Sequence, residues 1–493
     1  MRQSGILMPI FSLPSPYGIG TMGKEAFKFI DFLNEAGQSL WQLLPIGPTG
    51  FGDSPYQCNS SFAGNPYFLD IDALIDAGLL TKEEVKSFDF GSSFDEVDYG
   101  KIYSRYKLYR FMSPRFFSDT PKDFDTFCEK NKFWLEDYAL FCAIKDENDS
   151  RAFYDWEDSL RLREKTAIEN AKIRLKADCD FYKMLQYLFF KQYKALLTYA
   201  HEKGVKLIGD IPIYVAPDSA DLWANPEQFL LDKDGIPTEV AGCPPDDFCE
   251  DGQLWGNPLY DWDYMKKEDY SWWIQRIKSA HEVFDIVRID HFRGFESFFC
   301  IKNGSENAKK GRWKKGPGVE LFKAVEKALG KLPIIAEDLG FLTPEVYQLL
   351  EDCGFPGMKI LQFAFDPESD SEYLPHNYPK NCVAYTGTHD NDTCVGWFNT
   401  APYTTREDAK AYLRLNENEG INWGMIKAVW ASPADTAIIP MGDFLGLNSD
   451  GRINTPSTLK KNWAWRVRGE CLNGWLAEII CHFTKTYRRL NKT

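Results

Sequence analysis

At 493 residues the chain can bury one large barrel with insertions or several smaller units. Its 57 basic and 72 acidic residues give a formal net charge of -15 with no long basic run, which argues against nucleic acid as a partner and leaves a neutral substrate unopposed. The 12 cysteines are scattered without a CxxC pair, Met1-Arg2-Gln3-Ser4 begins no signal peptide, and no apolar stretch nears the ~20 residues of a membrane span, so a soluble cytoplasmic protein with reduced thiols and no membrane contact is expected.

Eight short apolar runs end abruptly in Gly, Pro or polar residues, and helical patterns separate many of them. In chain order they are 5–8, 40–44, 205–209, 284–288, 332–336, 357–361, 382–385 and 436–439. Eight strands close a parallel (β/α)8 TIM barrel, and that α/β fold is expected over 1–493. Phe181, Met184, Leu185, Leu188, Phe189, Leu196 and Leu197 form a stripe at helical spacing that Gly204 stops just before the third run. The spans 58–180, charged and helical in pattern, and 214–273, rich in Pro, Gly, Asp and Trp, are too long for ordinary βα loops. They are expected to be insertions covering the barrel's C-terminal face, the first mostly helical and the second a lid. Aromatic residues reach 15% of the chain; most serve packing, and the rest offer flat faces to sugar rings.

Acidic clusters follow three of the expected strands: Arg288-Ile289-Asp290-His291, Ala336-Glu337-Asp338 and Thr388-His389-Asp390-Asn391-Asp392. Strand ends on one barrel face converge, so carboxylates distant in sequence become neighbours. Glycoside cleavage needs such a group, one carboxylate to attack or stabilise the anomeric carbon and a second to protonate the leaving oxygen. Arg288 and Asp290 share one side of an extended strand, and the cation is expected to keep Asp290 ionised as a nucleophile. Glu337, following an apolar run, is the better proton donor. A lone strand-end acid is as often a helix cap or a loop-ordering acceptor, the role expected for Asp338 and Asp392. Three such acids with an Arg and a His beside them favour catalysis.

Two other motifs carry less. Gly18-Ile19-Gly20-Thr21-Met22-Gly23 matches GxGxxG, but Pro14 and Pro16 interrupt its approach and the next strand ends in Leu43-Leu44-Pro45 without an acid. His389-Asp390-Asn391-Asp392 is rich in oxygen ligands, yet no HExxH helix or complete calcium loop is present, so neither a catalytic metal nor a cofactor is expected. His201 and His281 fall on expected helices and read as surface or packing residues.

Read together with Ser12-Leu13-Pro14-Ser15-Pro16-Tyr17-Gly18, Trp41-Gln42-Leu43-Leu44-Pro45, Gly52-Asp53-Ser54-Pro55-Tyr56-Gln57, Gly209-Asp210-Ile211-Pro212 and Gly252-Gln253-Leu254-Trp255-Gly256-Asn257-Pro258, the three clusters resemble the 4-alpha-glucanotransferases called amylomaltases or disproportionating enzymes. The resemblance runs from residue 5 to beyond 460. It implies a barrel of the α-amylase clan, with Asp290 as nucleophile, Glu337 as general acid/base and Asp390 as transition-state stabiliser. It also implies Arg288 and His389 around the sugar beside the nucleophile, Tyr56 and Asp210 on the donor side, and Gln253 and Trp255 on a loop arching over the glucan channel. Maltooligosaccharides and α-1,4-glucans would be donor and acceptor. Cys243 and Cys249 flank part of that loop and are given no role. The residues alone also allow a hydrolytic α-amylase with the same acids, or a non-catalytic glucan-binding barrel, and the resemblance ranks transfer first.

Overall fold

All eight apolar runs form strands of one parallel sheet in this computed structural model, which describes residues 2–245, 250–416, 418–459 and 461–490. They are β1 (Gln3–Leu7), β2 (Leu40–Gln42), β3 (Lys206–Ile211), β6 (Ile286–Ile289), β9 (Ile334–Ala336), β10 (Gly357–Ile360), β11 (Cys382–Tyr385) and β12 (Thr436–Pro440). The order β10-β11-β12-β1-β2-β3-β6-β9 brings the first strand beside the last, with Gln3 opposite Thr436 and Leu7 opposite Pro440. The strands read as unbroken apolar runs because both their faces are covered: Ile6, Leu40, Trp41, Leu207, Ile208, Val287, Ile289, Met358, Ala384 and Ile438 are all buried. Only β9 and β10, the two ends of that order, share no ladder, and the ring is closed there by other means.

The helix Lys176–Glu202 feeds β3 as its stripe requires, burying Phe181, Met184, Leu185, Leu188, Phe189 and Leu196. It ends in a Schellman motif: Gly204 takes φ 71°, its N–H donates to His201 O at 2.9 Å, and Val205 N–H donates to Ala200 O at 2.8 Å. The next residues are already strand. Gly209, within β3, has no space for a side chain, since a Cβ there would meet the Phe284 ring at 2.0 Å.

Between β2 and β3 the chain runs through a series of short helices and then Lys132–Glu147, which packs along Lys176–Glu202. Between β3 and β6 lie β4 (Glu239–Cys243) and β5 (Gln253–Pro258), and between β6 and β9 lie β7 (Ser297–Lys302) and β8 (Arg312–Lys315). These four form a separate antiparallel sheet in the order β5-β4-β7-β8. The excursion after β6 was not anticipated from sequence. Its strands carry Lys302, Arg312, Lys314 and Lys315 among their apolar residues, a pattern that does not announce a buried strand; β7 pairs with β8 on one edge and with β4 on the other.

The chain's far end is tied to the bottom of the barrel by Arg489, fully buried, which donates from Nε to Trp430 O at 2.9 Å, from Nη1 to Gln3 O at 3.1 Å and from Nη2 to Ala434 O at 2.9 Å. Among the described residues no helix is long and apolar enough to cross a membrane. Cys58, Cys128, Cys142, Cys179, Cys300, Cys353, Cys382, Cys394, Cys471 and Cys481 are free thiols; Cys249 lies outside the described residues. Since an L-residue at Gly204 must hold a left-handed φ, Gly204→Ala is expected to cost about 1 kcal/mol. A lowered urea midpoint with unchanged activity per folded molecule would show it.

Candidate active site

The strands β3, β6 and β9 are consecutive in the barrel, so Asp210, Asp290 and Glu337 reach adjacent points on its C-terminal rim. Asp210 and Arg288 are register partners across β3 and β6. Arg288 Nη1 donates to both Asp210 oxygens, at 2.8 and 2.7 Å, and to Asp290 Oδ1 at 3.1 Å. The Tyr56 hydroxyl, delivered by the loop after β2, donates to Asp210 Oδ2 at 2.8 Å. The side chains of Arg288 and Asp210 are 4% and 0% exposed, so each charge is sustained in the interior by the other.

Past β6 the backbone turns sharply. Asp290 N–H completes the ladder to Ile211 O at 3.0 Å, and His291 adopts a left-handed φ of 51°, unusual for a residue with a side chain. From that conformation its N–H donates to Glu337 Oε2 at 2.6 Å, which ties the Glu337 carboxyl to the residue next to Asp290. Leu339 N–H takes the other oxygen, Oε1, at 2.9 Å, while the Glu337 peptide bonds Ile289 O and Phe292 N–H, each at 3.0 Å.

Across the barrel, the loop after β11 brings in His389 and Asp390. Asn454 Nδ2 donates to Asp390 Oδ1 at 2.6 Å, Arg452 Nη2 donates to Asp390 O at 2.6 Å, and His389 Nε2 lies 3.4 Å from Asp390 Oδ1. The His389 ring stacks on Tyr56 with centroids 5.1 Å apart and planes 17° apart, and Trp463 flanks both rings at 5.7 and 5.9 Å. Contacts therefore run unbroken from Asp390 through His389, Tyr56, Asp210, Arg288, Asp290 and His291 to Glu337. Asn454, Arg452 and Trp463 were not singled out from sequence. They sit on the irregular chain after β12, where no strand-end acid drew attention to them.

From the second sheet, Trp255 meets His291 edge to face at 4.8 Å, and its Nε1 donates to Gln253 Oε1 at 3.0 Å. Tyr214 lies 6.4 Å from both the Trp255 and the His291 rings. Asp338 and Asp392 face elsewhere: Asp338 accepts from Met358 N–H at 2.5 Å, and Asp392 from Thr393 N–H at 2.8 Å and Ser449 Oγ at 2.7 Å. His201 Nε2 meets Asp285 at 2.9 Å on the surface, and His281 is packed into its helix with its basicity lowered by burial.

Arg288 is not the largest influence on Asp290. Burial pushes Asp290 up to about 7, against the pull of Arg288 and with Asp210 and Asp390 adding to the rise. The guanidinium charge is shared, because the same nitrogen serves Asp210 through two bonds. Glu337 is pushed up to about 8, by burial first and by the charge on Asp290 second. Asp290 touches a cation and its side chain is 28% exposed, whereas Glu337 is 8% exposed and touches none, so Asp290 ionises first. The surroundings therefore favour the proton on Glu337 over one on Asp290. Burial lowers the basicity of His389, and that of His291 to about 3, so both imidazoles are neutral.

The glycine motif holds no dinucleotide. A Cβ at Gly20 would lie 1.9 Å from Ile10 O, and one at Gly23 would lie 2.4 Å from Asp70 Oδ1, so the start of the helix Lys24–Glu35 is filled by protein and faces a carboxylate. Among the described residues no group of three or more His, Cys, Asp or Glu is arranged to hold a metal ion.

Comparison with known proteins gives a consistent result. The glycoside hydrolase 77 family profile, described as 4-alpha-glucanotransferase, matches residues 8–472. A 4-alpha-glucanotransferase of Clostridium butyricum is 49% identical over 98% of this chain and 100% of its own, and one of Streptococcus pneumoniae serotype 4 is 48% identical over 100% and 98%. The amylomaltase from Streptococcus agalactiae, solved in complex with acarbose, superposes with a TM-score of 0.97 at 40% identity and full coverage of both chains.

The two raised carboxyls bind protons in the folded state that the unfolded chain, with ordinary values near 4, has already released. Their stabilising contribution is therefore complete at low pH and declines as pH rises through about 7 and 8. Asp290→Asn removes one of these groups and relieves the other, so the fall in urea midpoint between pH 5 and 9 is expected to be shallower than in the wild type. Equal slopes would place the pH dependence elsewhere.

Proposed function

This chain belongs to the 4-alpha-glucanotransferase family, and on that footing we propose that Asp290, Glu337 and Asp390 carry the transfer as nucleophile, general acid/base and transition-state stabiliser. The family moves α-1,4-glucan segments with retention of configuration, which requires two displacements. The observation that carries the assignment is the different setting of two neighbouring carboxyls: Asp290 bonds the Arg288 guanidinium at 3.1 Å and stays partly open, which favours a carboxylate able to attack, whereas Glu337 is buried, touches no cation and is raised by burial and by Asp290, which favours an acid able to donate.

In the first displacement, a glucan or maltooligosaccharide donor presents its anomeric carbon to Asp290. The bond to the leaving chain breaks as Glu337 protonates the glucosidic oxygen, and a covalent glucosyl-enzyme forms. In the second, the 4-hydroxyl of an acceptor sugar attacks that carbon, Glu337 takes its proton, and Asp290 departs. Tyr56, Asp210, Arg288 and His389 would line the sugar beside the nucleophile. Because Arg288 and Asp210 already satisfy each other, their geometry is set before substrate arrives. Asp390, its side chain 46% exposed and held by Asn454, is free to accept hydrogen bonds from ring hydroxyls that tighten as the ring flattens.

Transfer in preference to hydrolysis needs an acceptor sugar to outcompete water. Trp255 and Gln253, over the His291 turn, are the residues we assign to the cover on that side, with the excursions 58–180 and 214–273 as channel walls. The protein is read as acting in the cytoplasm on neutral glucans, without cofactor.

Incubation with maltotriose is expected to give glucose and a ladder of longer oligomers; products that only shorten would mean hydrolysis and overturn the reading. Asp390→Asn is expected to lower kcat by two orders of magnitude or more, on the order of 3 kcal/mol of transition-state stabilisation, while affinity for a maltooligosaccharide measured by calorimetry changes little. A loss confined to affinity would make Asp390 a ground-state contact.

A further inference from the structure

The barrel's one gap lies directly beside Glu337. Between β9 and β10 no strand ladder forms, and the chains are linked instead by Ala336 N–H to Pro356 O at 3.0 Å and by the Asp338 side chain, whose Oδ1 accepts from Met358 N–H at 2.5 Å. Here a carboxylate occupies the place of a backbone carbonyl. The fit is tight: a Cβ at Gly357 would lie 2.2 Å from Asp338 Oδ2 and 2.7 Å from its Cγ, so only glycine lets the strand approach that carboxyl. Asp338 is 4% exposed.

Three of the four ties on Glu337 run to one side, and the fourth, Leu339 N–H to Oε1 at 2.9 Å, stays within its own loop. Its peptide N–H, its peptide oxygen and Oε2 all bond to the chain of β6 and the turn after it, through Ile289 O, Phe292 N–H and His291 N–H. Toward β10, the side chain that anchors this stretch is the one immediately after Glu337. We propose that Asp338 is a positioning residue for Glu337, substituting its carboxylate for the missing ladder between β9 and β10 and so fixing the direction in which the acid/base enters the site. The proposal rests on Glu337 being that acid/base.

The charges around both groups bear on the test. Asp290 and Arg288 face Glu337 from β6, and Asp338 adds a further negative charge from the same loop, which raises Glu337. Asp338 itself is pushed up to about 7 by burial, against the pull of Met358 N–H and of Lys359, on β10, which is paired with Glu372, so its charge is present in the alkaline range where Glu337 gives up its proton. Removing the Asp338 charge therefore lowers the pH at which Glu337 gives up its proton.

The discriminating experiment compares two donors in Asp338→Ala and Asp338→Asn. Maltotriose needs its leaving oxygen protonated. In α-maltotriosyl fluoride the C1–F bond breaks as the bond to Asp290 forms, and fluoride leaves as an anion without a proton. For Asp338→Ala, kcat on maltotriose is expected to fall about 100-fold with KM within about twofold, the effect of an acid misplaced by roughly an ångström. The first-turnover burst of fluoride should stay within about threefold of wild type. Asp338→Asn keeps an oxygen for Met358 N–H and is expected to recover most of the loss, with the alkaline limb of kcat/KM moved to lower pH. Equal losses on both donors, a loss in KM alone, or full activity in the alanine variant would overturn the proposal. Should that variant not fold, an unshifted alkaline limb in Asp338→Asn would overturn it. If Glu337→Gln turns over maltotriose at the wild-type rate, the acid/base assignment itself has failed; if it is inactive while Asp338→Ala is unaffected, only the positioning role has.

Discussion

One nitrogen, Arg288 Nη1, touches three carboxylate oxygens, and the geometry of the candidate site follows from how that charge is divided. Asp210 is entirely enclosed, and without the guanidinium its charge would be strongly disfavoured there. Once paired, Asp210 receives Tyr56, Tyr56 stacks on His389, and His389 adjoins Asp390, so one buried ion pair between two strands organises residues from the loops after β2 and β11. Because Asp210 takes the shorter bonds, Asp290 gets only part of the cation. That leaves it ionised yet close enough to Glu337 in proton affinity for a single proton to settle on one of them.

The strained turn at His291 belongs to the same arrangement. A left-handed backbone costs a residue with a side chain on the order of 1–2 kcal/mol, and here it aims an N–H at Glu337. Trp463 also takes a positive φ, of 60°, against the stacked rings of Tyr56 and His389. Both irregular residues border the cluster, where irregular backbone orients groups that a strand or helix would point elsewhere.

The barrel was legible because its strands are buried on both faces and so read as apolar runs. The three acids were legible because they follow those runs directly. What escaped had no such signal. The β7 and β8 excursion is charged, and it joins a larger sheet through β4, a contact across some sixty residues of chain. Asn454 and Trp463 are ordinary residues in an irregular stretch, chosen by where the chain after β12 happens to return. Adjacency of an Arg in sequence did not reveal Asp210, a second carboxylate that shares it with Asp290. Asp338 was read as an ordering residue, and the structure gives that role a definite object in the backbone of a strand twenty residues later.

Closing the ring by pairing Gln3 with Thr436, side chains linked at 3.1 Å though 433 positions apart in the chain, has a consequence for how the molecule is made. Such a contact must wait for the loop closure of nearly the entire polypeptide, and Arg489 adds a clasp on Gln3 from still further along. During synthesis β1 therefore leaves the ribosome with one edge unsatisfied, and it stays so until β12 has followed. For that interval an exposed apolar edge invites self-association, which makes the growing chain a natural client for holding factors.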